Sequence, residues 1–498
     1  MPTLRLPALA QALALYLAAF AIFAVILFAT PGFLGTDDYY HTRMAVEILE
    51  QRSLRVEFPW LPLTILSPDK FTDHHLLFHM YVAPFTLLGE VTGAKIATVT
   101  IAAGVVLAIW VLLRRMGVRY AWLWALGLFV VSLPFINRIL MIRTQGASLL
   151  LLIVALIALQ AGRYRWLIPL SFAYVWLYNG FILMPAFAGL YCAAAWVVER
   201  KFEPRPLIYA LLGMALGLVI NPYFPQNLTF IWEHLIAKVD IANSVRLGNE
   251  WYPYDTGDLL ANSAGALIVL ALGVVAPNLR GAQSKRDRME STLLLCALVT
   301  LFMLMRSRRF IEYFPAFALL YGAVSWGRGI DFAAWLPTRL AWRPLVPLAG
   351  ALGLLYLAYT VLPAAYDQAQ DSRSPDYYAG AGVWLRANVP DGEMIFQTDW
   401  DDFTRLFYYN PDNPYIVGLD PTYLQLADPI QWDQWVALTR GEVETPSTLI
   451  SSVFGAQYVV SDAGHDAFRQ QAAADTAMEL VYQDRYNYVW RINPVESP

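Results

Sequence analysis

The chain has 498 residues, 58% of them hydrophobic and only 15% charged, with a formal net charge of −4. A soluble domain carries roughly 25% charged residues, so this composition excludes that class. The lack of a basic tract or zinc-knuckle spacing excludes nucleic acid as a partner. What remains is a polytopic α-helical membrane protein whose partners are membrane lipids and small polar molecules.

Spanning helices need about 20 mostly apolar residues, and short cytoplasmic loops collect Lys and Arg, so runs and flanking charges are solved together. The first run, 9–30, is too long for a signal-peptide core and is read as a retained helix. With Arg5 inside, it exits to a long loop, and the run 92–113 returns to Arg114, Arg115 and Arg119. Runs 120–137, 146–162, 166–179 and 181–198 then place Arg163 and Arg165, and later Arg200, Lys201 and Arg205, on the same side. Runs 207–221 and 262–279 lead to Arg280, Lys285, Arg286 and Arg288. Runs 291–305 and 311–326 precede Arg328, Arg339 and Arg343, and 344–362 carries the chain out. The total is about eleven spans, with the N-terminus cytoplasmic. Counting 76–88 as a further span would export most of these positive clusters, so it is read as a re-entrant or interfacial segment.

This gives a transmembrane domain over 1–363, with a first outer loop at 31–91 and a second large one at 221–262. An extracytoplasmic domain follows over 364–498, where Asp, Asn, Pro and Tyr become frequent. Helix signals at 375–388 and 445–454 mix there with strand signals at 393–397, 415–418, 458–461 and 480–490, which reads as a small α/β or α+β domain. Cys192 and Cys296 lie within apolar runs and are expected to be free.

The first outer loop holds Asp37, Asp38, His41, Asp73, His74, His75 and His79, including four of the six histidines. Such oxygen and imidazole groups suit direct catalysis or a divalent ion: manganese, or magnesium if the histidines only orient carboxylates. The expected ligands are Asp38, His41, Asp73, His74 and His75. Alternatively Asp37 caps a helix over 38–51 and the histidines are structural, or they sense pH. Arg306, Arg308 and Arg309 fall on the outer side, against the positive-inside bias, as do Arg138 and Arg143 in the short loop 137–145. Guanidinium forks match phosphate oxygens bidentately, so these arginines are candidates for an anion. Internal pairing with Glu312, and snorkelling to headgroups, is the plainer alternative. In loop 221–262, Trp251 and Tyr252 beside Glu250 are built either to stack a sugar or to sit in an interfacial belt. In the C-terminal domain, Asp399-Trp400-Asp401-Asp402 offers carboxylates to an acceptor or a cation, or caps the next helix.

The chain lacks GxxxxGK[ST], GxSxG and HExxH, which removes the usual support for ATP-driven transport and for serine or zinc hydrolysis. No nucleotide cofactor is expected. The order of parts resembles the GT-C superfamily of integral-membrane glycosyltransferases, in particular the catalytic subunit of oligosaccharyltransferase. That order is a first span, an outer loop opening on Asp37-Asp38-Tyr39-Tyr40-His41, many spans, a late outward arginine and an outer C-terminal domain. The resemblance implies transfer, by inversion, of a sugar or glycan from a polyprenyl-phosphate or -pyrophosphate carrier to a protein, lipid or glycan acceptor. It implies Asp38 or Asp37 as general base or metal ligand, and Arg308 or Arg309 at the donor phosphate. Acceptor contacts are expected at Tyr39, Tyr40, Trp251, Tyr252, Asp399, Trp400 and Asp401. It departs from the pattern where a WWD motif would stand, the nearest match being 399–402, and in loop 137–145, which has no acidic residue. The setting implied is a bacterial or archaeal plasma membrane. A transporter or flippase of an anionic lipid-linked sugar is the alternative from another class; its signature, charges inside the spans and repeated halves, is not evident.

Overall fold

The computed structural model describes residues 6–237, 248–279, 286–328 and 345–493. Arg5, Arg280, Lys285, Arg339 and Arg343, used above to orient the spans, lie outside these residues. Five described helices are long and apolar enough to cross a membrane, at 8–27, 90–115, 256–277, 288–306 and 348–370, or six if one bent pair counts as a span.

The apolar runs form helices in the expected order: α1 (Leu6–Leu27), α2 (Asp37–Gln51), α3 (Leu76–Thr86) and α4 (Glu90–Arg115). The run 120–137 is not one helix. It breaks into α5 (Ala121–Leu126), a 3₁₀ turn to Phe129, and α6 (Leu133–Ile139), the two parts meeting at 85°. Pro134 has no amide to donate, and Ser132 Oγ accepts from Phe135 N, so a new helix starts there instead of the old one continuing. The bend brings Arg138 and Arg143 to the polar end of the bundle. The chain continues through α7 (Thr144–Gln160), α8 (Leu167–Leu177), α9 (Leu183–Glu199), α10 (Arg205–Val219) and α11 (Gln226–Ile231). Then come α12 (Thr256–Leu279), α13 (Arg288–Arg306), α14 (Phe314–Gly327) and α15 (Leu345–Gln370). The last of these runs past residue 364, so the change in composition falls inside a helix.

Opposite the site described below, a second set of polar helix ends meets. Arg115 Nε donates to Gln160 Oε1 at 3.0 Å, Arg288 pairs with Glu199, and Arg328 bonds Asp287 at 2.5 Å. Between the two ends, packing is close. Gly93 of α4 lies against the backbone of α3 so tightly that a Cβ there would stand 1.8 Å from the Phe85 carbonyl oxygen. That contact holds α3 against the bundle, and α3 also packs on α2 and α8.

The C-terminal sheet has the order β1-β2-β4-β3, built from Ile395–Gln397, Tyr458–Asp462, Asn487–Ile492 and Met478–Gln483 respectively. β1 runs parallel to β2, and the other pairs are antiparallel. The strand signal at 480–490 resolves into a hairpin, because Asp484 Oδ1 accepts from Tyr486 N and Asn487 N at 2.7 Å and closes a turn. The signal at 415–418 yields only an isolated bridge, Ile395 to Tyr415.

The domain is interwoven with the loop 31–91. Trp60 packs on Phe407 at 4.5 Å, Tyr415 N donates to Trp60 O at 2.8 Å, and Ile65 N donates to Tyr423 O at 3.2 Å. One core holds Tyr40, Phe58, Phe71 and Tyr223 together with Tyr378, Phe403, Leu406 and Tyr415. Buried Lys95 of α4 ties the entry, its Nζ donating to Thr30 O at 2.7 Å, while Ser372 Oγ bonds Thr30 Oγ1 at 2.7 Å.

Replacing Gly93 by Ala should lower the thermal unfolding midpoint in detergent. Gly104→Ala in the same helix, where a Cβ meets only Leu150 Cδ2 at 3.4 Å, should leave it unchanged or raise stability by about 0.4–1 kcal/mol.

Candidate functional site

At the polar end of the bundle, a cavity of about 90 Å³ is lined by residues from six regions of the chain. The first outer loop supplies Asp37, Tyr40, His41, His74 and His75. Arg143 and Asn179 come from the ends of short helices, His234, Glu250 and Trp251 from the second large loop, and Arg309 from the turn after α13. Leu419, Asp420 and Tyr423 of the C-terminal domain close it.

The two adjacent aspartates differ in kind, because neighbours on a helix point about 100° apart. Asp37 faces the cavity, and the Arg143 guanidinium grips its Oδ2 through Nε, at 3.0 Å, and Nη2. It does not cap α2, whose N-cap is Thr36 with no side-chain cap bond. Asp38 faces inward and is fully buried. Its Oδ2 accepts from Leu34 N at 3.2 Å and Gly35 N at 3.0 Å, and its Oδ1 accepts from Ile142 N at 2.9 Å. It therefore pins the start of α2 to the segment that carries Arg143. Burial pushes its carboxyl up to about 7, against the pull of the Gly35 amide and the Arg143 charge.

The arginines form a charge lattice. Glu250 Oε2 accepts from Arg138 Nη2 at 2.7 Å and Arg143 Nη1 at 3.1 Å, and its Oε1 lies 3.7 Å from Arg309 Nη1. Arg138 Nε also donates to Glu312 at 2.6 Å. Burial by itself would raise the Glu250 carboxyl; Arg143, Arg309 and Arg138 together hold it well below the usual carboxylate range. Arg309 stacks over Trp251 at 5.0 Å. Arg308 points away from the cavity, stacking over Tyr254 at 5.1 Å with its Nε bonded to Pro253 O, and Arg306 is exposed at the end of α13. Of the expected anion-binding arginines, the structure gathers Arg138, Arg143 and Arg309.

The histidines converge as well. His41 Nδ1 lies 2.8 Å from His79 Nε2, and His79 Nδ1 lies 2.7 Å from Asp73 Oδ2. Asp73 Oδ1 accepts from His75 N at 2.9 Å. Of the five expected metal ligands, Asp38 is committed to backbone amides, and His74 lies between Phe230, at 4.7 Å, and His75, at 4.0 Å, without joining the converging ligand atoms. His79, in the same loop but not among the expected ligands, converges with His41 and His75 instead. His41, His75 and His79 each present an atom within 4.8 Å of the other two. Burial holds the His41 and His75 imidazoles well below their ordinary range and His74 at about 4, so all three are neutral.

Of the expected acceptor contacts, Tyr40 and Trp251 line the cavity, and Tyr252 is exposed and does not line it. Tyr39 is buried against Phe33 and Tyr408. Asp399 caps the turn Trp400–Asp402 by accepting from Asp401 N at 3.0 Å, and Trp400 packs on the domain core. Asp401 lies near the cavity; burial and the Asp37 charge push its carboxyl up to about 6. Sequence reasoning missed Asn179, Asp420 and Tyr423. Tyr423 hydroxyl lies 2.9 Å from His234 Nδ1, and Asn179 Nδ2 lies 2.7 Å from His234 Nε2, contacts no local pattern announces.

No family model and no curated protein matches the chain. Solved structures do. The Archaeoglobus fulgidus oligosaccharyltransferase in its apo form superposes with a TM-score of 0.65 at 14% identity, over 98% of this chain and 75% of that one. ArnT from Cupriavidus metallidurans, bound to undecaprenyl phosphate, gives 0.57 at 16% identity, over 96% and 97%. The arabinofuranosyltransferase AftD from Mycobacteria gives 0.59 at 13% identity, over 98% of this chain and 40% of its own. The chain shares the fold of these membrane glycosyltransferases.

Asp38→Asn should be the destabilising member of the pair. Its amide nitrogen cannot accept from backbone donors, which costs about 1–3 kcal/mol, whereas Asp37→Asn should cost less, because Arg143 keeps Glu250 as a partner. An Asp38 carboxyl that titrates near 7 when folded binds more protons than it does unfolded, so it erodes wild-type stability as pH rises from about 4 to about 7. Thermal melts across that range should fall less steeply for Asp38→Asn than for wild type.

Proposed function

We propose that the protein transfers a sugar or glycan from a polyprenyl-phosphate or -pyrophosphate carrier to an acceptor on the extracytoplasmic side, by inversion. The observation that carries this reading is the sharing of one cavity by a carboxylate, Asp37, and two guanidiniums, Arg143 and Arg309, with Arg138 joined to them through Glu250. The cavity sits where helix ends meet the C-terminal domain, within a fold shared with enzymes that handle such carriers.

The chemistry follows from charge. The acceptor hydroxyl attacks the anomeric carbon as the bond to the carrier phosphate breaks, and Asp37 takes the hydroxyl proton while Arg143 fixes its orientation. The leaving oxygens gather negative charge, which preorganised guanidinium donors stabilise without reorganising. Arg309, pinned over Trp251, faces that charge, and Arg138 stands beside it in the charge lattice. Glu250 is paired with their donors, so the carrier phosphate exchanges with the Glu250 carboxylate on the same arginines. Asp401 and Tyr40 flank the acceptor side.

The fold family implies a divalent metal. The residues present do not fit magnesium or manganese, since Asp37 is paired with Arg143 and Asp38 with backbone amides. They fit an ion bound through nitrogen at His41, His75 and His79. When bound, such an ion supplies positive charge to the leaving phosphate beside the arginines.

On this reading the chain crosses the membrane about eleven times, with the cavity outside the cell and the N-terminus in the cytoplasm. The two sets of helix ends support that reading: Arg143, Asn179, Glu250 and Arg309 share one, while Arg115, Glu199, Arg288 and Arg328 share the other. Span 120–137 then crosses as the bent pair, and α3 stays at the outer boundary.

The test is transfer of labelled sugar from a polyprenyl-phosphate donor pool by the purified protein. Asp37→Asn should lose about 100-fold or more in turnover with donor binding retained. Full turnover in that variant would contradict the assignment.

A further inference from the structure

We propose that His41, His75 and His79 form a binding site for a borderline divalent ion of the zinc class, oriented by Asp73 and opening on the cavity. The site brings together α2, which carries His41, the N-cap of α3, which is His75, and the first turn of α3, which carries His79. Their ligand atoms lie within 4.8 Å of one another. A tetrahedral ion with bonds of about 2.0–2.1 Å to nitrogen needs ligands about 3.4 Å apart, so adjustments within side-chain reach close the shell.

Two details point to an ion and not to a plain imidazole cluster. His79 Nδ1 and Asp73 Oδ2 are 2.7 Å apart, which places the ring proton on Nδ1 and turns the Nε2 lone pair toward His41 and His75. A carboxylate that fixes the tautomer and raises ligand basicity is the usual second partner of a metal-bound histidine. Its other oxygen accepts from His75 N at 2.9 Å, so one side chain steadies two ligands. In addition, His75 Nδ1 is buried with no hydrogen-bond partner. A buried polar nitrogen without a partner is uncommon, and an ion supplies one.

The proton balance is simple. With the His79 proton on Nδ1, the 2.8 Å contact between His79 Nε2 and His41 Nδ1 requires a proton on His41 Nδ1. Ion binding moves that proton to the other nitrogen of His41, and both facing lone pairs become ligands without net proton release. His41 and His75 reach the cavity wall, leaving a fourth position toward it. Three imidazoles and no free carboxylate select zinc, cobalt or nickel over magnesium and manganese.

The site binds its ion whether or not the chain transfers sugar, so the test uses no donor. Full-length protein in detergent is stripped with chelator, loaded with zinc, desalted and analysed for metal content. The expected result is one zinc per chain, retained against excess magnesium, and with cobalt the intense visible bands of a four-coordinate ion. Asp73→Asn should weaken zinc about 10–100-fold. His75→Ala, at a partly exposed position outside the helix interior, should abolish it while the protein remains folded, and His74→Ala should keep it. Substoichiometric zinc in wild type, a pale six-coordinate cobalt spectrum, or full occupancy in His75→Ala would overturn the site.

Discussion

The architecture of the cavity depends on one balance of charge. Three guanidiniums, Arg138, Arg143 and Arg309, face three carboxylates, Asp37, Glu250 and Glu312, in a place largely withdrawn from water. Charges withdrawn from water are tolerated only when paired. The pairing therefore dictates where the break after α5, the turn after α13 and the second large loop must come to rest. The same balance limits what can enter: a phosphate adds negative charge to a neutral lattice, so an internal carboxylate has to give way. Asp37 is tied to one guanidinium and belongs to the scaffold of α2. Glu250 is shared among three and comes from a loop, so in the proposed reaction it is the group that exchanges.

The C-terminal domain is a wall of the site and not an appendage. Its core is continuous with the first outer loop through Trp60, Phe58 and Phe71, and Tyr423 reaches across to His234. The loop that carries Asp37 and the histidines is thus held from two sides, by Asp38 at its start and by the domain along its length. Rigid support of this kind keeps catalytic groups in register.

Much of this was legible in the sequence, for reasons that can be named. Arginines on a flank where the positive-inside bias disfavours them, and an acidic loop, stood out because each contradicts what membrane flanks normally carry, and Arg143 and Arg309 line one cavity with Asp37. Even the broken span had a signal, Ser132-Leu133-Pro134, although hydropathy alone ran straight through it. What could not be read was facing. Asp37 and Asp38, or His74 and His75, are equivalent in composition, and only packing decides which of two neighbours meets the cavity. Long-range partners were equally silent: Tyr423 and His234 are 189 residues apart. In the C-terminal domain, the hairpin turn at Asp484 was hidden inside a run whose alternation suited a single strand.

The most direct test of the account is the affinity of a polyprenyl phosphate, without sugar, for the protein in lipid nanodiscs, compared among wild type, Glu250→Gln and Arg309→Gln. If the carrier phosphate exchanges with Glu250 on the arginine cluster, removing the competing charge tightens binding several-fold. Removing Arg309, a charge-assisted contact worth about 1.5–3 kcal/mol, should weaken it by roughly tenfold or more. Equal affinity in all three proteins would place the phosphate elsewhere and contradict the central claim.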